Sequence, residues 1–368
     1  MKSMAALLQL LFVSVFMLLG CSDSKPTPQA TSGTGTGPAG SAAPQPAPAA
    51  LKELNLFGWS EYVPQEVIDG FTKETGIKVN YETYASNEEM LSKLLAGSTK
   101  YDLIQPSEYV IEALVKQGKL EQLDHTKIPN LKNIAPDMKG LAHDPELKYG
   151  VPWMAGAAGI IVNTDKVKDE IKGFKDVFQD KYKGRIVALN DSRELVSWAM
   201  ATHGLDANVV TAEVLEKVKP TLAAWIKLVK TFDSDSPKTP LLGGDVDLGV
   251  IWNGEAALLL KEDKKWKFII PAEGAHMYID SLAIPKGAPN KVGAQMFMDY
   301  ALRPAVSKII SEKFPYTNPN AEARKLLTPE QLNNPASYPD LKGMKTFRDI
   351  GKMASDIDKL VTDLKAAN

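Results

Sequence analysis

Residues 54–82 read LNLFGWSEYVPQEVIDGFTKETGIKVNYE, and the fold class follows from how the apolar residues are spaced within them. Residues 54–58 form an apolar run of strand length. Pro64 then stands where a first helical turn tolerates a residue without an amide hydrogen, Val67, Ile68 and Phe71 recur at helical spacing, and Gly76 can close the helix. Residues 77–82 alternate apolar and polar side chains as a second strand. Strand, helix and strand in immediate succession are the repeating unit of α/β lobes built on mostly parallel sheets.

The alternation continues outward. Ser86 and Glu89 have the spacing of a capping box, and the helix they open carries Met90, Leu91, Leu94 and Leu95. Residues 101–105, 159–163, 185–189, 248–252 and 277–284 read as further strands. A long helix is expected over 213–232, with Leu215, Val218, Leu222, Trp225, Leu228 and Val229 on its packing face. Trp225 and Trp266 read as core residues.

Toward the amino terminus the pattern changes. Met1 and Lys2 precede an apolar run that ends Leu18-Leu19-Gly20-Cys21, too short for a spanning helix and shaped like a lipoprotein signal peptide with Cys21 as the lipidated residue. Residues 22–50 are mostly Ser, Thr, Gly, Ala and Pro with almost no large apolar side chain, so they are expected to form a disordered tether reaching on the order of 30 Å. Residues 1–20 are thus expected to be a signal peptide and 21–50 a lipidated tether. Cys21 is the only cysteine, so no disulfide is available and stability has to come from packing. The rest is long enough to suggest two lobes rather than one core.

Lys and Arg (43) nearly balance Asp and Glu (45), scattered rather than blocked, which gives no reason to expect nucleic acid. His125, His143, His203 and His276 show no metal-ligand spacing, and no metal or cofactor is expected. There is no nucleophile elbow and no Gly-rich phosphate loop, and Asp191 with Glu194 sits on one helix face instead of flanking a scissile bond, so catalysis is not expected.

In open α/β sheets ligands bind beyond the carboxyl ends of the strands. The residues at those places are Trp59, Ser60, Glu61 and Tyr62; Ser107, Glu108 and Tyr109; Asp191 and Glu194; Trp252, Asn253 and Glu255; and, two apart within one strand, Tyr278 and Asp280. Singly, an acid such as Glu61, Glu108 or Asp191 is accounted for by the helix dipole, and a ring by the core. Together they make a set of rings and carboxylates whose only cation is Arg193. That chemistry suits an organic cation: ring faces attract ammonium groups by roughly 0.5–2 kcal/mol each, carboxylates hydrogen-bond them, and covered methylenes add about 0.8 kcal/mol apiece.

From about residue 52 to 350 the chain resembles the substrate-binding proteins of bacterial spermidine/putrescine ABC importers. The matching pieces are Trp59-Ser60-Glu61-Tyr62, residues 71–79, Pro106-Ser107-Glu108-Tyr109, Ile251-Trp252-Asn253-Gly254, residues 280–285, Arg303-Pro304, residues 323–327 and Tyr338-Pro339-Asp340. The resemblance implies a two-lobed periplasmic-binding-protein fold that closes by hinge motion, with crossings near 155, 275 and 305. Residues 51–155 and 275–305 would form one lobe, and 156–274 with 306–368 the other. It also implies an aromatic box of Trp59, Tyr62, Tyr109, Trp252, Tyr278 and Tyr316, acids Asp191, Glu194 and Asp280, and polar contacts from Ser60, Ser107 and Ser234.

Glu255 falls where putrescine-preferring relatives carry an acid. Arg348 falls near an amide of the spermidine binders and would disfavour a triamine if it reached the cleft. The implied protein is a monomeric, membrane-anchored periplasmic lipoprotein that hands putrescine or spermidine to an inner-membrane ABC permease. A ligand-sensing partner of a membrane signalling protein, or a binder of another organic cation, would use the same fold.

Overall fold

The structure is a computed structural model and describes residues 52–96 and 100–368; the expected signal peptide, Cys21 and the whole of the tether lie outside the described residues. The chain first lays down β1 (Glu53–Trp59), β2 (Lys78–Tyr84), β3 (Leu103–Ile104) and β4 (Gly150–Gly156). It then forms β5 (Ala158–Asn163), β6 (Ile186–Ala188), β7 (Val229–Phe232), β8 (Leu248–Trp252) and β9 (Trp266–Ile269), and finally β10 (Tyr278–Ala283).

Two five-stranded sheets result, ordered β2-β1-β3-β10-β4 and β7-β6-β8-β5-β9. In the first, β1 pairs in parallel with β2 and β3, and β10 runs antiparallel to β3 and β4. In the second, β6 pairs in parallel with β7 and β8, and β5 runs antiparallel to β8 and β9. Each sheet therefore has four strands in one direction and one reversed strand in fourth place. That reversal brings the beginning of β10 to the end of the sheet where β1 and β3 finish.

The opening unit forms for the reasons its spacing gives. The helix Gln65–Thr75 buries Val67, Ile68 and Phe71, each worth about 1.5–3 kcal/mol, and ends at Gly76, whose left-handed φ of 73° a side chain would resist. Pro64 sits one position earlier than expected, as the extended N-cap. Ser86 caps the helix Asn87–Leu95 by accepting from the Glu89 amide, while the Glu89 carboxylate takes the amide of Ala85.

Two expectations are corrected by packing. The helix expected over 213–232 ends at Ile226, and Val229–Phe232 joins the second sheet as β7, because its β-branched and aromatic Val229, Thr231 and Phe232 suit a strand beside β6. The crossing expected near 305 comes later. The helix Pro304–Lys313 puts Val306 and Ile310 into the core of the first lobe, Asn320 still bridges to Ile134 there, Ala336 belongs to the second lobe's core, Leu341 and Met344 pack back on the first, and Ile350 and Met353 pack on the second. The last helix, Met353–Ala366, packs Ile357 and Val361 into the second lobe. Trp225 stacks on Phe178 with centroids 4.3 Å apart and Trp266 is buried, both as core residues.

Candidate functional site

Between the sheets lies a cleft. It is lined by Trp59, Ser60, Glu61, Tyr62, Ser107, Tyr109, Asp191, Glu194, Ser234, Trp252, Glu255, Tyr278, Asp280 and Tyr316, so the structure brings together every side chain expected to face a ligand. Asn87, Glu108, Arg193, Asp235, His276 and Phe347 also line it.

Asp280 is the best-held acid. It is 4% exposed, accepts hydrogen bonds from Tyr62 Oη at 2.7 Å and Ser107 Oγ at 2.6 Å, and lies at an irregularity in β10 next to Ser281. Ser107 begins a helix without capping it, because its hydroxyl is spent on Asp280. Burial pushes the Asp280 carboxyl up to about 6 against the pull of these two donors. Among the described residues no lysine or arginine pairs with it.

The rings make walls from both lobes. Tyr62 and Tyr316 sit with centroids 5.2 Å apart, and Trp252 meets Tyr278 edge to face at 5.3 Å. Trp59 donates through Nε1 to Gln105 O at 2.9 Å, Trp252 to Ser234 O at 3.0 Å, and Tyr278 hydrogen-bonds Asn253. Gly254 explains how Tyr316 fits: a Cβ there would lie 2.5 Å from the tyrosine ring. Ser234 Oγ is buried without a hydrogen-bond partner among the described residues.

At one end are Asp191 and Glu194. Asp191 caps its helix by accepting from the Glu194 amide at 2.9 Å. Glu194 is 2% exposed and holds Trp198 Nε1 at 2.9 Å and His276 Nε2 at 3.2 Å. Burial, then the neighbouring Asp191, raises its carboxyl well above the ordinary range, and burial lowers His276 to about 3, so the imidazole is neutral. Arg193 lies over the Phe347 ring and gives its Nη2 to Ala207 O, so it forms no ion pair with either acid.

The other end carries a cation that the sequence reading missed. Lys238 Nζ lies 2.8 Å from Glu255 Oε2 and 2.9 Å from Glu61 Oε2, joining the two lobes. Glu61 reaches it from a turn in which its own φ is 50°, an uncommon value for a residue with a side chain. Beside this bridge Ser60 hydrogen-bonds Asp235.

Arg348 does not reach the cleft. Its guanidinium is bidentate to Glu112, at 2.8 Å through both Nε and Nη2, and holds that carboxyl down at about 2. Glu108 accepts the amides of Ile279 at 2.9 Å and Phe347 at 3.0 Å, which makes it a clamp on two segments at the cleft's edge. Asn87 orients Ser107 and Tyr109 through Nδ2 at 3.0 and 2.9 Å.

Two α/β lobes on either side of a cleft of rings and acids, with the chain passing repeatedly between them, define a two-lobed binding protein of the periplasmic type. The sequence pattern of the bacterial extracellular solute-binding protein family matches residues 66–342, and the chain belongs to that family. It is 37% identical over 318 residues to the spermidine/putrescine-binding periplasmic protein of Escherichia coli (strain K12), covering 85% of this chain and 91% of that one. It is 34% identical over 313 residues to the putrescine-binding periplasmic protein PotF of the same organism, covering 79% and 84%. The crystal structure of the TpPotD lipoprotein of Treponema pallidum superposes with a TM-score of 0.76 at 28% identity over 85% of this chain and 99% of that one. Membership in a solute-binding family assigns the chain to binding and not to catalysis.

Proposed function

We propose that this chain captures a polyamine in the cleft and delivers it to an ABC permease. The observation that carries the reading is Asp280, a deeply buried acid fixed by Tyr62 and Ser107, set among ring faces and left without a cationic partner of its own. A buried carboxylate is stable only with a cation beside it, and an alkyl ammonium supplies the charge while the rings cover its methylenes. Glu194 and Asp191 offer a second anchor for the far amine. The curated relatives bind spermidine and putrescine by their names, which supports the same ligand class here.

The partners follow from the class. A lipid on Cys21 would hold the protein at the membrane on its tether, and the closed monomer would dock on a permease driven by an ATPase. Titration calorimetry of the purified chain with putrescine, cadaverine, spermidine, spermine, arginine and lysine tests the ligand. Saturable binding of at least one polyamine, tighter than that of either amino acid, is expected; heat from the amino acids alone overturns the reading.

A further inference from the structure

We propose that Lys238 determines the length of ligand the cleft accepts: its ammonium fills the position between Glu61 and Glu255 that a third ammonium would otherwise take, so the chain selects a diamine. This rests on the polyamine reading of the cleft. A lysine side chain is a primary ammonium on four methylenes, chemically the end of a polyamine. Here it is fully engaged, with Glu255 at 2.8 Å, Glu61 at 2.9 Å and Ser236 Oγ at 3.2 Å accounting for its three donors.

Glu255 has a side chain only 3% exposed, so its carboxylate requires a cation and already has one. An incoming ammonium would find both carboxylates shared and Nζ repelling it. The protein thus meets one charge requirement itself. Asp280 at one place and Glu194 with Asp191 at another, none with a lysine or arginine in ion-pair contact among the described residues, remain as two anchors for the ligand's ammonium groups, while Asp235 beside the bridge is held by Ser60. Because Lys238 comes from the segment after β7 and Glu61 from the turn after β1, the bridge spans the cleft and forms only when the lobes are together.

The test is titration calorimetry with putrescine and with spermidine on the wild-type chain, Lys238→Met, Lys238→Arg and the double variant Lys238→Met/Glu255→Gln. Putrescine is expected to bind the wild type more tightly. Lys238→Met should raise the ratio of spermidine to putrescine affinity by about tenfold or more, Lys238→Arg should keep it within about twofold of wild type, and the double variant, which removes the buried pair together, should lose most of the gain. A ratio in Lys238→Met equal to that of a wild type that binds both ligands overturns the inference alone, as does a wild type that prefers spermidine. A wild type that binds neither polyamine overturns the polyamine reading and the inference with it.

Discussion

At one end of the cleft Glu255 is buried against Lys238, a cation the chain carries itself; at the other, Glu194 is buried as deeply but meets only Trp198 and His276, an imidazole kept neutral by the same burial. Glu255 has its cation, carried by the same lobe, before any ligand arrives. The other end holds carboxyl groups whose burial favours the protonated form, so that charge appears there only when a cation does. Asp280 lies toward the open side of this division, held by hydroxyl donors and by no cation. Acids of the same type, similarly buried, thus do different work according to whether a lysine stands beside them.

Removing the anchor should break the comparison most severely. Asp280→Asn is expected to weaken polyamine binding by about 30-fold or more, the loss of about 2–5 kcal/mol that accompanies a buried charge pair losing one member, measured by calorimetry. Without ligand the same variant should be the more stable protein near neutral pH. The native carboxyl is raised to about 6, so its contribution to stability is full below the unfolded value of about 3.9 and is lost as pH rises through 6. The gap in melting temperature between variant and wild type should therefore close below about pH 4.

Next in size is Glu194→Gln, expected to reduce affinity by about tenfold through the far amine while leaving Trp198 a partner. The pH dependence separates the ends further. Ligand binding requires Asp280 and Glu194 to be ionised, so affinity should fall as pH drops through about 6, with protons released on binding. Calorimetry in buffers of different ionisation enthalpy reads the proton count directly; equal heats in all of them would contradict the assignment. Gly254→Ala should displace Tyr316 and weaken ligand by about fivefold, an overpacking effect of roughly 1 kcal/mol. The smallest effect is expected for Arg348→Ala, with no change in the ratio of putrescine to spermidine affinity and a stability loss of roughly 0.5–1 kcal/mol from its half-exposed pair with Glu112.

How much of this was readable in the sequence depends on where each residue sits. Trp59, Ser107, Asp191 and Trp252 follow or close recognisable strands, and the rule that α/β ligands bind at strand ends collects them without knowledge of the tertiary structure. Tyr278 and Asp280 were found by their spacing of two, although the strand runs the other way and presents its beginning to the cleft. Lys238 was hidden by a single error of period. A helix expected through residue 232 absorbs β7, and with that strand unseen Asp235 and Lys238 beyond its end are not collected by the strand-end rule, while Ser234 is reached only through the family resemblance. His276 and Phe347 were missed because they lie in irregular crossing segments, where no periodicity marks them. The late return of the chain to the second lobe was equally illegible, since a helix such as Pro304–Lys313 has the same apolar spacing whichever lobe it covers.

The position of β10 has a consequence for assembly. Within the first sheet β3, paired with β1 on one side, and β4 never pair with each other; they are joined through β10, which lies more than a hundred residues after β4 in the chain. As the chain is synthesised, the first lobe must wait, with two strand edges open, until the whole of β5 to β9 has been made, whereas the second sheet is drawn from one continuous stretch. The lobe encoded first is therefore the one whose sheet is completed last, and its unpaired edges are the segments most exposed to wrong partners while the chain is incomplete.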